Sequence, residues 1–213
     1  MATDLRPAVR GRDAAETRRR LLDAAERLFA ERGFMGTSIR AVTQAAGVSV
    51  SAANYHFGSK EALLAATYGR AIIPLNEARL AQLSDLERRA GDAALSLTDV
   101  LDAFLRPVFE SPNDASFRGL AGRLFSDPPE VVTALKQEYF GEISERFVAA
   151  LVRALPDRDE EEVKLAFQFL VGIMVHVIAG QVETNPTLPS PDVTETEALL
   201  AQMIRFARAG FEA

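Results

Sequence analysis

Apolar residues recur at helical spacing along the chain, which reads as helices throughout. From Ala14 to Arg32, Leu21, Leu22, Ala25, Leu28 and Phe29 share one face, and Arg18, Arg19, Glu26 and Arg27 take the other. Gly33 supplies a left-handed residue to end that first helix. Thr37 is the expected N-cap of a short second helix, Ser38 to Ala45, with Ile39 and Val42 facing inward. Ala46-Gly47-Val48 makes a tight turn, and Ser49 caps a third short helix, Val50 to Phe57. Gly58 breaks it, Ser59 caps again, and Lys60 opens a long fourth helix. Ahead of all this, residues 1–13 are polar, carry Arg6, Arg10 and Arg12, lack periodicity, and are expected to form a flexible arm.

Two helices of about two turns each, joined by a three-residue turn containing glycine, make a helix-turn-helix. Gly47 allows the backbone angle of the sharp turn, and Val48 and Val50 can plug the space between the helices. The third helix is then free to lie in a major groove. Its exposed positions Ser51, Ala52, Asn54 and Tyr55 are small or hydrogen-bonding, which permits close approach and readout of base edges or phosphates. The pattern divides the chain into a DNA-binding head, residues 14–60, and a helical body, residues 61–213.

The body is expected to hold five further helices after the fourth turns into it. The fourth runs to about Arg89 with Pro74 kinking it, and the fifth spans Leu97 to Glu110 with Pro107 inside. The sixth covers Asp114 to Phe125. Pro128 and Pro129 suit the first turn of the seventh, which continues to Leu155. The eighth ends near Gln181, Thr184 to Pro191 is a proline-rich loop, and the ninth runs from Thr194 to Phe211. Leu199, Leu200, Met203, Ile204, Phe206, Ala207 and Phe211 wrap most of the way round the ninth helix, so it must bury two faces. One face can meet its own domain and the other a second copy, with Gly172, Ala179 and Gly180 on the eighth helix permitting close contact. Gly172, Leu200, Ile204 and Phe206 are the expected dimer interface.

Charge sharpens this division. Residues 1–70 carry 11 Lys and Arg against 7 Asp and Glu, whereas residues 71–213 carry 13 against 23. A basic head on an acidic body points only the head toward a polyanion. Hydrophobic residues make up 48% of the chain, enough for a sizeable core, and cysteine is absent, which excludes disulfides and thiolate chemistry. No apolar run nears 18 residues and no signal segment opens the chain, so a cytoplasmic protein without membrane contact is expected. Two histidines, no nucleophile elbow and no glycine-rich phosphate loop argue against an enzyme, and no cofactor or metal is expected. The acidic run Asp157 to Glu162 reads as the ordinary complement of a helix N-terminus rather than a metal site. A helical adaptor that binds protein through the ninth helix is an alternative, but it leaves the basic head unexplained.

Ten of the 13 phenylalanines lie after residue 100. Phe104, Phe109, Phe117, Phe125, Phe140, Phe147, Phe167 and Phe169 sit at apolar helical positions and most must be core, yet such side chains also line ligand cavities in helical domains. Phe104, Phe117, Phe140 and Phe147 are the candidate apolar walls. Arg123, Gln168 and His176 are polar residues in apolar surroundings, each either orienting a ligand or satisfied structurally, and Arg123 is the candidate partner for a carboxylate or phosphate.

The stretch Thr17 to Leu64 resembles the tetracycline-repressor (TetR) family. The resemblance is carried by LLDAAERLFAERGF (21–34), TSIR (37–40), AGVS (46–49) and above all NYHFGSKEAL (54–63). It spans roughly a quarter of the chain. Thr43 stands where the family usually has Ala, and Asn54 where Leu is commoner. The resemblance implies an all-α homodimer that binds a palindromic DNA operator and releases it when a small molecule binds the C-terminal domain. It also implies phosphate contacts from Thr37, Tyr55 and Lys60, the last beside a helix N-terminus that is itself an anion site. Arg40 can reach a phosphate or a guanine. Ser51, Ala52 and Asn54 are the base-reading candidates, and Ser38 and Ser49 complete the set. Tyr55 is expected to pack its ring and offer its hydroxyl to DNA, Phe57 to be core, and His56 to stand between contact and none. The Arg123-Leu-Phe-Ser-Asp-Pro stretch and the Asn-Tyr-His-Phe variant resemble a branch responding to fatty acids or acyl-CoA thioesters.

Overall fold

A computed structural model describes residues 6–110, 115–124, 126–179 and 196–213. Within them the chain is all-helical: α1 Arg6–Gly36, α2 Ile39–Ala46, α3 Val50–Phe57, α4 Lys60–Ala90, α5 Leu97–Glu110, α6 Ala115–Arg123, α7 Pro129–Ala154, α8 Glu160–Ile178 and α9 Thr196–Glu212. Phe125, Gly180 and the Thr184 to Pro191 loop lie outside the described residues.

Two differences at the N-terminus have simple causes. The stretch expected as an arm is helical from Arg6, and Pro7 in the first turn is compatible with this because its missing N–H costs nothing there. The second helix is capped by Ser38, not Thr37: the Ser38 hydroxyl accepts from the Ala41 N–H at 3.1 Å. Thr37 instead turns inward, only 2% exposed, and its hydroxyl donates to the Leu28 carbonyl at 3.0 Å. The TSIR segment offers two adjacent hydroxyls for one cap, and the buried one holds the end of α1 to the start of α2.

The head packs α1, α2, α3 and the start of α4 around Leu21, Leu22, Ala25, Phe29, Val42, Ala53, Leu63 and Leu64, all almost fully buried. In the body, α5 is the central helix. Leu97, Val100, Leu101, Phe104, Leu105 and Val108 fall on one stripe, and all are buried against α4, α7 and α9. Phe104 meets Phe147 of α7 edge-on at 5.1 Å and Phe167 of α8 at 4.9 Å between ring centroids, an arrangement that ring quadrupoles favour. The acidic run opens α8: Asp159 accepts from the Glu161 and Glu162 N–H groups, and Lys164 pairs with Glu160 and Glu161.

Gly33 interrupts α1 with φ 67° and ψ −179°. A Cβ there would come within 2.6 Å of Asp127 Oδ1. Gly33→Ala therefore meets both backbone strain and a collision, and is expected to cost about 1–3 kcal/mol of unfolding free energy. A Cβ at Gly141, in mid-α7, would have no atom within 4 Å, so Gly141→Ala is expected to be neutral or stabilising by up to ~1 kcal/mol. Urea denaturation of the two variants checks the contrast; equal effects would contradict it.

Candidate nucleic-acid interface and effector cavity

The turn between α2 and α3 is built by Gly47, in the left-handed region at φ 63° and ψ 39°. Its N–H donates to the Gln44 carbonyl at 3.2 Å, and the Val48 N–H to the Thr43 carbonyl at 3.0 Å. Arg20 of α1 donates to the Gly47 carbonyl at 3.3 Å, fixing the turn from behind. Ser49 caps α3 by accepting from the Ala52 N–H at 3.2 Å, and its hydroxyl is 2.9 Å from that of Ser51. Ala53 is buried and Phe57 half-buried against the core, so α3 turns its remaining face outward.

That outward face carries Ser51, Asn54 and Tyr55, with Ala52 half-buried beside them. Ser38, Arg40 and Ser49 are exposed on the neighbouring element starts and α2. Tyr55 departs from its expected packing: it is 83% exposed, and its ring meets that of His56 edge-on, 5.2 Å between centroids. Its i−4 and i+3 neighbours, Ser51 and Gly58, offer no apolar surface. His56 is half-buried between Tyr55 and Phe57. Lys60 places its ammonium 4.0 Å above the Phe34 ring, which orients it at the N-terminus of α4. Among the described residues neither Arg40 nor Lys60 has a carboxylate at ion-pair distance, while Arg19 and Arg70 are engaged by Glu16, Asp23 and Glu26. Thr37 belongs to the interior and drops out of the exposed set.

The head is locked to the body at the end of α1. Arg123, at the end of α6, donates to the carbonyls of Ala30 at 3.2 Å and Glu31 at 2.6 Å, capping α1 where its ladder stops. Asp127 accepts from the Phe34 N–H at 2.9 Å. Gly119 of α6 lies against Ala30 so closely that a Cβ would meet it at 2.7 Å. The Tyr68 hydroxyl of α4 donates to the Leu120 carbonyl at 2.8 Å, and burial with the nearby Asp127 pushes its pKa up. Arg70 of α4 pairs with Asp23 of α1 at 2.6 Å and with Glu26. Arg123 is thus committed to α1, the structural one of its two expected roles, and is not among the residues that line the cavity within the body.

A cavity of about 40 Å³ lies within the body, between α4, α5, α6, α7 and α8. Phe117 and Phe140 line it, with Tyr68, Leu120, Arg79 and Met174. Phe104 and Phe147 are core residues behind this lining. Gln168 and His176 are exposed on α8 and are not part of the cavity, because α8 turns Val163, Phe167, Leu170 and Met174 inward instead. Arg79 was not anticipated, although it falls on the apolar stripe of α4 with Ile72, Leu75 and Leu83.

On the outer surface of the body, α8 and α9 form an apolar groove of about 810 Å³, lined by Gln168, Phe169, Gly172, Ile173, Phe206 and Gly210 among others. Leu165, Phe169 and Ile173 follow one another at i, i+4 and i+8 on α8, and Phe169 and Phe206 are 63% and 66% exposed. Phe169 is therefore surface, not core. Leu200 and Ile204 are buried against the body instead of facing outward, because α5 occupies that side of α9. Of the expected interface, Gly172 and Phe206 remain outward.

An all-helical chain with an N-terminal helix-turn-helix and a separate cavity-bearing helical body is a regulator of transcription in form. Residues 21–67 match the model of bacterial regulatory proteins of the tetR family, and residues 102–210 that of the tetracyclin repressor-like C-terminal domain. The chain belongs to the TetR family of transcriptional regulators. It is 30% identical over 179 residues to an HTH-type transcriptional regulator of Mycobacterium tuberculosis, covering 76% of this chain and 87% of that one. It is 29% identical to the HTH-type transcriptional repressor KstR2 of Rhodococcus jostii, covering 72% of this chain and 74% of that one. Among solved structures it is similar to a SmeT–triclosan complex (TM-score 0.61, 25% identity, 90% of each chain). The fold is also shared with the fatty acid degradation regulator FadR of Bacillus halodurans (TM-score 0.65, 17% identity, 88% of this chain and 96% of that one). Among the described residues no helix is long and apolar enough to cross a membrane.

Removal of the Asp127 carboxylate strands the Phe34 N–H. Asp127→Ala is expected to lower the unfolding free energy by about 1–3 kcal/mol, read by urea denaturation. A change within error would show that the corner does not hold the head.

Proposed function

We propose that this chain is a repressor that binds a near-palindromic operator as a homodimer and is released by a small, largely apolar effector. The exposed face of α3 carries the reading. Ser51, Ala52 and Asn54 lie in the major groove against base edges, and Ser38, Ser49, Arg40, Tyr55 and Lys60 hold the phosphates on either side, with His56 steadying Tyr55. Tyr55 supports this directly: it is 83% exposed at the end of the helix-turn-helix, and among the described residues its ring meets the aromatic ring of His56 alone.

The second copy covers the α8–α9 groove. A two-fold axis there sets Leu165, Phe169, Ile173 and Phe206 of each copy against the same patch of the other, with Gly172 and Gly210 permitting close helix approach. The resulting symmetry places the two α3 helices on successive major grooves, which demands a near-palindromic site. The effector occupies the body cavity lined by Phe117 and Phe140, with Phe104 and Phe147 backing it; a fatty acid, an acyl-CoA or another apolar compound has the chemistry for such walls. The complex of SmeT with triclosan and the part of FadR in regulating fatty acid degradation agree with a cavity for apolar molecules. A hundredfold release of DNA needs a coupling of about 2.7 kcal/mol, within the ordinary allosteric range.

A mobility-shift assay on the DNA upstream of the protein's own gene tests the reading. Lys60→Ala is expected to weaken binding to all sequences alike and to lower the salt slope by about one unit. Asn54→Ala is expected to change preference at one base position by about 1–3 kcal/mol. Unchanged affinity, slope and preference in folded variants would remove these contacts. For assembly, Phe206→Glu is expected to give folded monomers by light scattering, with operator affinity lost. A monomeric unmodified protein at micromolar concentration would contradict the dimer. Ile204 serves as the control, since a charge there is expected to unfold the body.

A further inference from the structure

Arg79 is the only charged side chain among the described residues that is fully buried, at 1% exposure. Its surroundings answer little of its charge. Nε donates to the Phe104 carbonyl at 2.8 Å, and the guanidinium lies 4.1 Å over the Phe104 ring. Nη1 reaches the Asn76 Oδ1 only at 3.4 Å, and Nη2 faces the Met174 sulfur at 3.3 Å. The Asn76 amide nitrogen donates to the Tyr139 carbonyl at 2.6 Å, which holds its Oδ1 at that longer distance from Nη1. No carboxylate among the described residues pairs with Arg79. Burial without a counter-charge pushes its pKa down to about 9, so it keeps its proton at neutral pH. A guanidinium carries five N–H donors, and the two terminal nitrogens form a fork that matches a carboxylate. Here that fork lacks a close oxygen acceptor, and Arg79 and Met174 both line the body cavity.

An uncompensated charge in a protein interior is costly, and an apolar residue of similar volume commonly serves stability better. The rest of the cavity is apolar but for the Tyr68 hydroxyl and Arg79 itself, and that hydroxyl is committed to Leu120. We propose that Arg79 receives the acid group of the effector, so that the cavity selects amphipathic monocarboxylates, with the carboxylate on Nη1 and Nη2 and the apolar body against α6 and α7. This rests on the reading of the cavity as the effector site. At about 40 Å³ the cavity is far smaller than the roughly 300–1,000 Å³ of ordinary ligand pockets. A longer ligand anchored at Arg79 must therefore push back the wall formed by Phe117, Leu120, Ala121 and Leu124. That wall is α6 and the residue after it, and Arg123 at its end caps α1. Anchoring an acid at Arg79 thus loads the segment that holds the DNA-binding head.

The test compares acids with neutral isosteres on the full chain. Decanoate and 4-phenylbutyrate, each beside its primary amide, are titrated in thermal-shift assays and in release of operator DNA. The acids are expected to raise the melting temperature and release DNA at concentrations about tenfold or more below the amides, as a charge-assisted bond would give. Arg79→Met is expected to bind DNA, to melt at the same or a higher temperature without ligand, and to lose the preference for acid over amide. Arg79→Gln, which keeps polar donors but no charge, is expected to lose the same preference. Equal potency of acid and amide in the unmodified protein overturns the proposal, and needs no variant. So does a preference that survives in both variants, or an Arg79→Met protein that melts lower while discriminating as before, which would make Arg79 a strut. Release by amides but not by acids keeps the cavity as the effector site and removes the acid. No effect of any of the four compounds on melting or on DNA release, by a protein that binds its operator, rejects the apolar-effector reading and this proposal together.

Discussion

The corner where α6 turns into α7 is the constraint on which the arrangement of the molecule depends. The end of α1 leaves carbonyls at Ala30 and Glu31 and an N–H at Phe34 that need partners, as every helix end does. Arg123 answers the carbonyls and Asp127 the N–H, both from the body. Gly33 makes this possible by breaking α1 at positive φ and by leaving room for the Asp127 carboxylate. Helices α2 and α3 are only 8 residues each, so the head meets the body chiefly through α1. The Arg70 pairs to Asp23 and Glu26 tie a second edge, and the Tyr68 bond to Leu120 holds α6 to α4 within the body. Head and body thus meet through specific polar contacts, which break one at a time, and not through a broad apolar seam alone.

The location of those contacts gives the proposed effector response a physical route. The residues that clamp α1 sit at the end of the helix that walls the cavity. Phe117, Leu120 and Ala121 face the cavity, and Gly119 and Arg123 of the same two turns face α1. A helix of nine residues has little capacity to absorb a displacement on one side without passing it to the other. Helix α4 supplies a second route, since it runs from Lys60 beside the exposed α3 face to Tyr68, Ile72 and Arg79 at the cavity.

Much of this was legible in the sequence, and the exceptions share a cause. The helix-turn-helix was readable because its determinants are local: a glycine at the turn, serines at the helix starts, and apolar residues at fixed spacing. Helix ends were readable within a few residues for the same reason, except at Arg6, where a polar segment without periodicity still extends a helix. What periodicity could not assign was the partner of each face. Leu200 and Phe206 both belong to the apolar girth of α9, and only the position of α5 decides that Leu200 is core and Phe206 is surface. Phe169 followed the same pattern in α8. The embedded polar residues failed for a related reason: Arg123 in its apolar neighbourhood reaches across 93 positions to Ala30, a pairing that no local pattern encodes. Arg79 left a trace, as a charge on the apolar stripe of α4, but a single such residue is indistinguishable in sequence from one that reaches solvent along its aliphatic stem.

The central claim is that the α6–α7 corner transmits the state of the cavity to the DNA-binding head. The chain has no cysteine, so a single Gln44→Cys substitution on exposed α2 allows one spin label per copy. Double electron–electron resonance between the two labels of the proposed dimer, with and without decanoate, measures the separation of the heads. The account predicts a shifted distance distribution on adding ligand in the parent protein, and a distribution insensitive to ligand once Arg123 and Asp127 are both replaced by alanine. Release of DNA with an unchanged distribution in the parent, or a ligand-induced shift that persists without the two side chains, would contradict it.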